Sequence, residues 1–327
     1  MEDPVEGTSE GGTASTPPWV REAILAGQPF HIREQDPLAH NLKNLGALGL
    51  LLAILALTAG LGTRLEAPLY VPLAALVFGL VYFGLFVLVV HEASHDMFIV
   101  TGRRELGRRL NRAFGWVVAF VFATHYVKHW EVGHHEHHVR PLEPRDPQKA
   151  NTLTGAPLLL RVLGCVFVPG FFLLDRTALR VRSEGEMSTK SGAVIRGFVA
   201  FWVALLAILT WTLGARVALA AFLGMQVLAG LNHIKGALEH GGPLRDARDP
   251  YLRSRSTLFP GRALLMPFNI TLHFEHHLNY RVPWYALVEY HRALRELVPP
   301  ELHAHAWNHH PLSQLRGDAA GLRPERR

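Results

Sequence analysis

Residues 69–95 read LYVPLAALVFGLVYFGLFVLVVHEASH. The first part, 69–90, carries no charged side chain and is long enough to cross about 30 Å of hydrocarbon as a helix. It runs without a break into 91-HEASH-95, where His91 and His95 stand one helical turn apart and project from one face. An apolar span joined directly to paired imidazoles predicts a membrane helix that delivers metal ligands at its end.

Working outward, the run 45–62 (LGALGLLLAILALTAGLG) precedes this span, and 197–214 (GFVAFWVALLAILTWTLG) and 217–232 (VALAAFLGMQVLAGLN) form a second pair. A fifth run, 156–174, contains Arg161 and a Pro169-Gly170 break, so hydropathy leaves it open. Parity supplies the expectation. If histidine clusters before and after these runs build one site, an even number of crossings separates them, and 156–174 lies in the interface. Arg103, Arg104, Arg108, Arg109, Arg112, Lys128 and the basic carboxyl-terminal third then share one side, leaving only Arg64 and Arg216 in the opposite connections. The positive-inside rule makes that side cytosolic. The expected fold is an all-α integral membrane protein: four transmembrane helices with a cytosolic histidine-rich helical cap. Residues 1–40 read as a disordered or peripheral segment, 41–311 as the membrane domain, and 312–327 as a flexible tail.

Composition narrows the chemistry. The 327 residues are 49% hydrophobic and 18% charged, with 20 histidines and one cysteine. Cys165 has no partner for a disulfide or a paired-thiolate site, so any metal is expected on nitrogen and oxygen. The net charge of +6 does not point to nucleic acid, because the cations flank apolar runs instead of interleaving with exposed aromatics.

The imidazoles recur in boxes. In 134-HHEHH-138, His134, His137 and His138 stand at i, i+3 and i+4, and 273-HFEHH-277 repeats that spacing in His273, His276 and His277. At the end of the fourth span, 238-LEHGG-242 offers His240. With His91 and His95 these make nine candidate ligands, too many for one ion and suited to two. So many nitrogen donors without paired thiols suit a redox iron pair with positions open for oxygen. Glu92, Glu131 and Glu239, with Asp96, Glu136 and Glu275, lie beside or between the ligands, where a carboxylate can accept the outer ring N–H of an imidazole. His129 and His135 are candidates for the layer behind the ligands, together with His125. His233, two turns before His240, is a candidate tenth ligand. His31, His40, His291, His303, His305, His309 and His310 lack the spacing and read as surface residues.

The stretches 91-HEASH-95, 130-WEVGHHEHH-138 and 273-HFEHHLNYRVPWY-285, separated by a pair of spans, resemble the membrane fatty acid desaturase and hydroxylase superfamily over about residues 40–300. The element 239-EH-240 is similar to an extra histidine that many members place after the fourth span. The resemblance implies two Fe held by the nine histidines, O2 as co-substrate, four spans and a cytosolic active site acting on a lipid or fatty acyl substrate. Some desaturases place Asn four residues before that extra histidine. Gly236 stands there in this chain, so an asparagine ligand is not implied.

The leading expectation is a desaturase. A hydroxylase, ketolase or oxidative decarboxylase of an alkane, carotenoid or fatty acid would use nearly the same ligands. A zinc hydrolase or a metal transporter is the reading from another class, and a transporter would place ionisable residues inside its spans. The first two runs have none. Arg103 to Arg112 offer either membrane anchors or contacts to an anionic head group. No haem-binding HPGG, four-cysteine spacing or glycine-rich dinucleotide motif is present. Electrons are therefore expected from an external ferredoxin, rubredoxin or cytochrome with its reductase.

Overall fold

The computed structural model describes residues 16–149, 152–175, 188–189 and 191–318. It is 73% helical with almost no strand, and four of its helices are long and apolar enough to cross a membrane.

Helix α1 (Pro18–Ala26) lies on the cap, ahead of the first long helix, α2 (Pro37–Leu61). Asp36 caps α2 by accepting the Ala39 N–H at 2.7 Å. Helix α3 (Ala67–Leu85) runs on through a π-helical segment, Phe86–His91, into α4 (Glu92–Ser94), making one continuous rod from Ala67 to Ser94. Wide π turns concentrate at functional sites, and this one delivers His91. After α5 (Arg104–Val121), a second π-helical segment, Tyr126–His134, feeds α6 (His135–Val139). Helices α7 (Gly155–Phe167) and α8 (Phe171–Leu174) follow. At about 20 Å, α7 is shorter than the hydrocarbon thickness. The second long pair is α9 (Gly192–Leu213) and α10 (Ala215–His240), joined at Gly214, whose φ of 96° suits a residue without Cβ.

The four long helices are not equivalent. In α3, 78% of the apolar window is buried within the protein and in α10 61%, against 6% in α2 and 17% in α9. Helices α3 and α10 therefore form the centre, and α2 and α9 present apolar faces such as Leu57 and Trp211 outward. Glycine permits the central crossing. A Cβ at Gly79 would fall 2.5 Å from the Val227 Cβ, and one at Gly224 2.6 Å from the Phe78 Cβ.

The cap is built from α11 (Arg262–Leu265), α12 (His273–Leu278), α13 (Leu287–Leu297), α14 (His303–Ala306) and α15 (Pro311–Arg316). Its own apolar core joins Val20 and Ala23 of α1 to Phe274, Tyr290 and Leu294. A two-residue parallel bridge pairs Ser256 with Trp307 and Thr257 with Asn308. Within the segment expected to be disordered or peripheral, α1 packs by two buried residues, and residues 1–15 lie outside the described residues. Most of α15 lies in the segment expected as a flexible tail. Its buried Gln314 donates to the Gly241 carbonyl at 2.8 Å and accepts from Arg255 at 2.8 Å. Residues 319–327 of that tail lie outside the described residues.

Two of the histidines read as surface residues are buried. His40 is 1% exposed and bonds the Met97 carbonyl and the Tyr285 hydroxyl, and His31 bonds the Asn279 amide. Met97, Tyr285 and Asn279 lie far away in sequence, so local spacing carries no sign of these contacts.

Candidate metal centre

The ends of α3 and α10 meet, and the two HxxHH boxes close over them. Nine imidazoles from four separated segments fall into two groups. His91, His95, His134, His138 and His276 form one, and His137, His240, His273 and His277 the other; within each group the ligand atoms lie within 4.8 Å of one another.

Each box is shared between the groups. Helical residues advance about 100° apiece, so positions i and i+4 lie to one side of a face and i+3 to the other. His134 and His138 accordingly serve the first group and His137 the second, whereas His273 and His277 serve the second and His276 the first. The sequence reading placed all three on one face. The face is real, but its midline runs between two sites.

Nitrogen positions test the fit to metal. His91 Nε2 lies 3.0 Å from His276 Nε2, His138 Nε2 lies 3.1 and 3.2 Å from those of His276 and His134, and His240 Nε2 lies 2.8 Å from His273 Nε2. Outer atoms fix the tautomers. His91 Nδ1–H donates to Glu92 at 3.1 Å, His137 Nδ1–H to Asp146 at 2.9 Å, and His240 Nδ1–H to the Arg253 carbonyl at 2.7 Å. Their Nε2 lone pairs consequently face inward, and Nε2 of His95, His137 and His277 is buried with no hydrogen-bond partner among the described residues. Converging lone pairs about 3 Å apart repel unless a cation lies between them. That spacing matches nitrogens bound about 2.1 Å from a shared ion, so the donor set fits two metals.

Burial and the neighbouring imidazoles hold His134, His138, His273, His276 and His277 well below their ordinary pKa, and burial pushes His95 down to about 3. All stay neutral, as ligands must. Burial alone would raise Asp146, but His137 and the backbone N–H groups of Leu142 and Gln148 outweigh it and hold the carboxyl at about 2.

Of the residues expected behind the ligands, Glu92 touches His91, and Glu239 lies 3.3 Å from His273 Nδ1. Glu131 is instead gripped by Arg112 through two bonds of 2.7 Å, His135 is exposed, and His129 packs on the Trp130 ring. None of these three joins either group. His233 points away from both, with Nε2 2.9 Å from Asp175. Asp175 also pairs with Arg161, and with Cys165 and His233 it forms a third compact cluster that the cysteine count had not anticipated. Arg161 already supplies positive charge there. Asp146, Gln148 beside His134, and Tyr280 stacked on His95 at 5.1 Å had no signal in the spacing of the boxes.

The sequence profile of the fatty acid desaturase family matches residues 66–310, from the start of α3 to just before α15. No curated protein matches the chain significantly.

Proposed function

The chain belongs to the fatty acid desaturase family, and on that premise we propose that it is an oxygen-dependent di-iron desaturase, introducing a double bond into a fatty acyl or lipid alkyl chain. The nine histidines would hold the two irons, the five of the first group facing one and the four of the second facing the other. Iron bound there supplies oxygen activation and removal of hydrogen from an unactivated C–H bond. The chain's own contribution is position. Glu92, Asp146 and the Arg253 carbonyl retain the outer imidazole protons and aim Nε2 inward. Burial excludes water and keeps the imidazoles uncharged.

The four long apolar helices support a membrane-spanning protein, and the clustering of arginines in the connections that carry the boxes supports a cytosolic active site. The same reading includes an external electron donor, as the family resemblance implies. The observation that carries this reading is the convergence of imidazoles from four segments into two groups.

The test is expression with a compatible donor and reductase, followed by mass spectrometry of host lipids and metal analysis. Loss of two hydrogens with two irons per chain is expected. Gain of oxygen would make the protein a hydroxylase or ketolase on the same scaffold, and zinc alone would favour a hydrolase.

A further inference from the structure

One residue outside the imidazole groups touches the supports of both His137 and His240. The His240 Nδ1–H donates to the backbone carbonyl of Arg253 at 2.7 Å. The strap carrying that carbonyl is fastened to the end of α10, because the Arg255 N–H donates to the Glu239 carbonyl at 3.0 Å. The guanidinium of Arg253 reaches the other way. Its Nε donates to the Ala247 carbonyl at 3.0 Å, which fixes the side chain, and its Nη1 donates to the Pro141 carbonyl at 3.2 Å and to Glu143 at 3.4 Å.

Pro141 and Glu143 flank the strained point of the turn that supplies Asp146. Between them, Leu142 is buried and held at a φ of 65°, a left-handed conformation that is costly for a residue with a Cβ. Such a residue persists only where its surroundings over-determine it. The conformation aims the Leu142 N–H at Asp146 Oδ2, 2.8 Å away, and the same oxygen takes the His137 Nδ1–H at 2.9 Å. The Asp146 N–H returns to the Glu143 carbonyl at 3.1 Å and closes the turn. Relaxing Leu142 would therefore move the acceptor away from His137. Of the two contacts that Nη1 makes to this turn, the one to Glu143 is the weaker, being long and made to a side chain that is 39% exposed. The bond to the Pro141 carbonyl carries the clamp.

We propose that Arg253 is a positioning residue for the second metal site, supporting His240 through its own carbonyl and His137 through the turn at 141–146. This rests on the two-metal reading above and names a residue on which one metal depends more than the other. In the second group the clamp reaches two of the four imidazoles. In the first it reaches His134 at one remove, through Gln148, whose N–H donates to Asp146 at 2.7 Å and whose side-chain amide lies 2.7 Å from His134 Nδ1. The guanidinium suits the task because its planar fork donates in two fixed directions, which a lysine ammonium on a flexible stem does not reproduce.

Ferrous titration of the metal-free full chain in detergent, followed by Mössbauer spectra, tests this without turnover. Arg253→Met should weaken the second site by about tenfold, the lower end of what a partner behind the ligands contributes to metal affinity, and the first site by less. At limiting iron its spectrum should match that of His137→Ala and differ from that of His138→Ala. Arg253→Lys, which can still reach one carbonyl, should keep part of the affinity. Adding Arg253→Met to Asp146→Ala should cost less than the two losses combined, because both act through His137. Should thermal unfolding show that Arg253→Met does not fold, the lysine variant supplies the same comparison. Equal loss from both sites, an unchanged second site, or fully additive losses overturns the clamp. A wild-type chain that takes up fewer than two irons overturns the two-metal reading itself, whatever the variants do.

Discussion

His137 and His138 are adjacent in the chain yet belong to different imidazole groups. The His137 ring lies 4.6 Å from that of His240, and the His138 ring 4.6 Å from that of His276. Removing either ligand should therefore cost a different metal. His137→Ala and His138→Ala are each expected to fall from two bound irons to about one, with activity reduced by about a hundredfold or more. Metal analysis and Mössbauer spectra check this, and identical residual spectra from the two variants would contradict the division.

Asp146 acts on the second group through His137. Asp146→Ala should weaken iron binding by about 10- to 100-fold, and Asp146→Asn, which can still accept from the imidazole, should fall between. Competition with a ferrous chelator measures this, and wild-type affinity in the alanine variant would show that Asp146 has no hold on the ligand.

Acid should destabilise the metal-free protein. The unfolded imidazoles take up protons near 6.5, whereas those of His134, His138, His273, His276 and His277 are held well below that value in the fold. Stability from this source is thus complete above about pH 6.5 and declines as pH falls below it, because the unfolded chain binds more protons. Thermal midpoints of metal-free protein between pH 8 and pH 5 should drop on the acid side; a flat profile would refute the burial argument.

The central crossing tolerates no added bulk. Gly224→Val would drive side-chain atoms into Phe78 and Tyr82, costing about 1 to 3 kcal/mol and separating the helix ends that bear His91 and His240. Lower thermal stability together with reduced iron content is expected. Loss of neither would mean that α3 and α10 can shift without disturbing the centre.

The spans were legible because hydrocarbon excludes charge, which leaves uninterrupted apolar runs in 69–90 and 45–62. The boxes were legible because their ligands sit at helical spacing. The sharing of each box between two groups was not, since it depends on how α6 and α12 are rolled over the ends of α3 and α10. Asp146 escaped notice because it approaches from an irregular loop. His40 escaped because its partners Met97 and Tyr285 lie 57 and 245 residues away.

The order of the ligands along the chain has a consequence for biosynthesis. Four members of the first group precede α9, whereas three of the four in the second come from α10 or later. A growing chain could bind one ion once residues 134–138 have emerged, but it can hold the second only after the last membrane hairpin is inserted and α12 has been made. A ribosome stalled between the hairpin and α12 should thus yield a chain loaded with a single ion and unable to act.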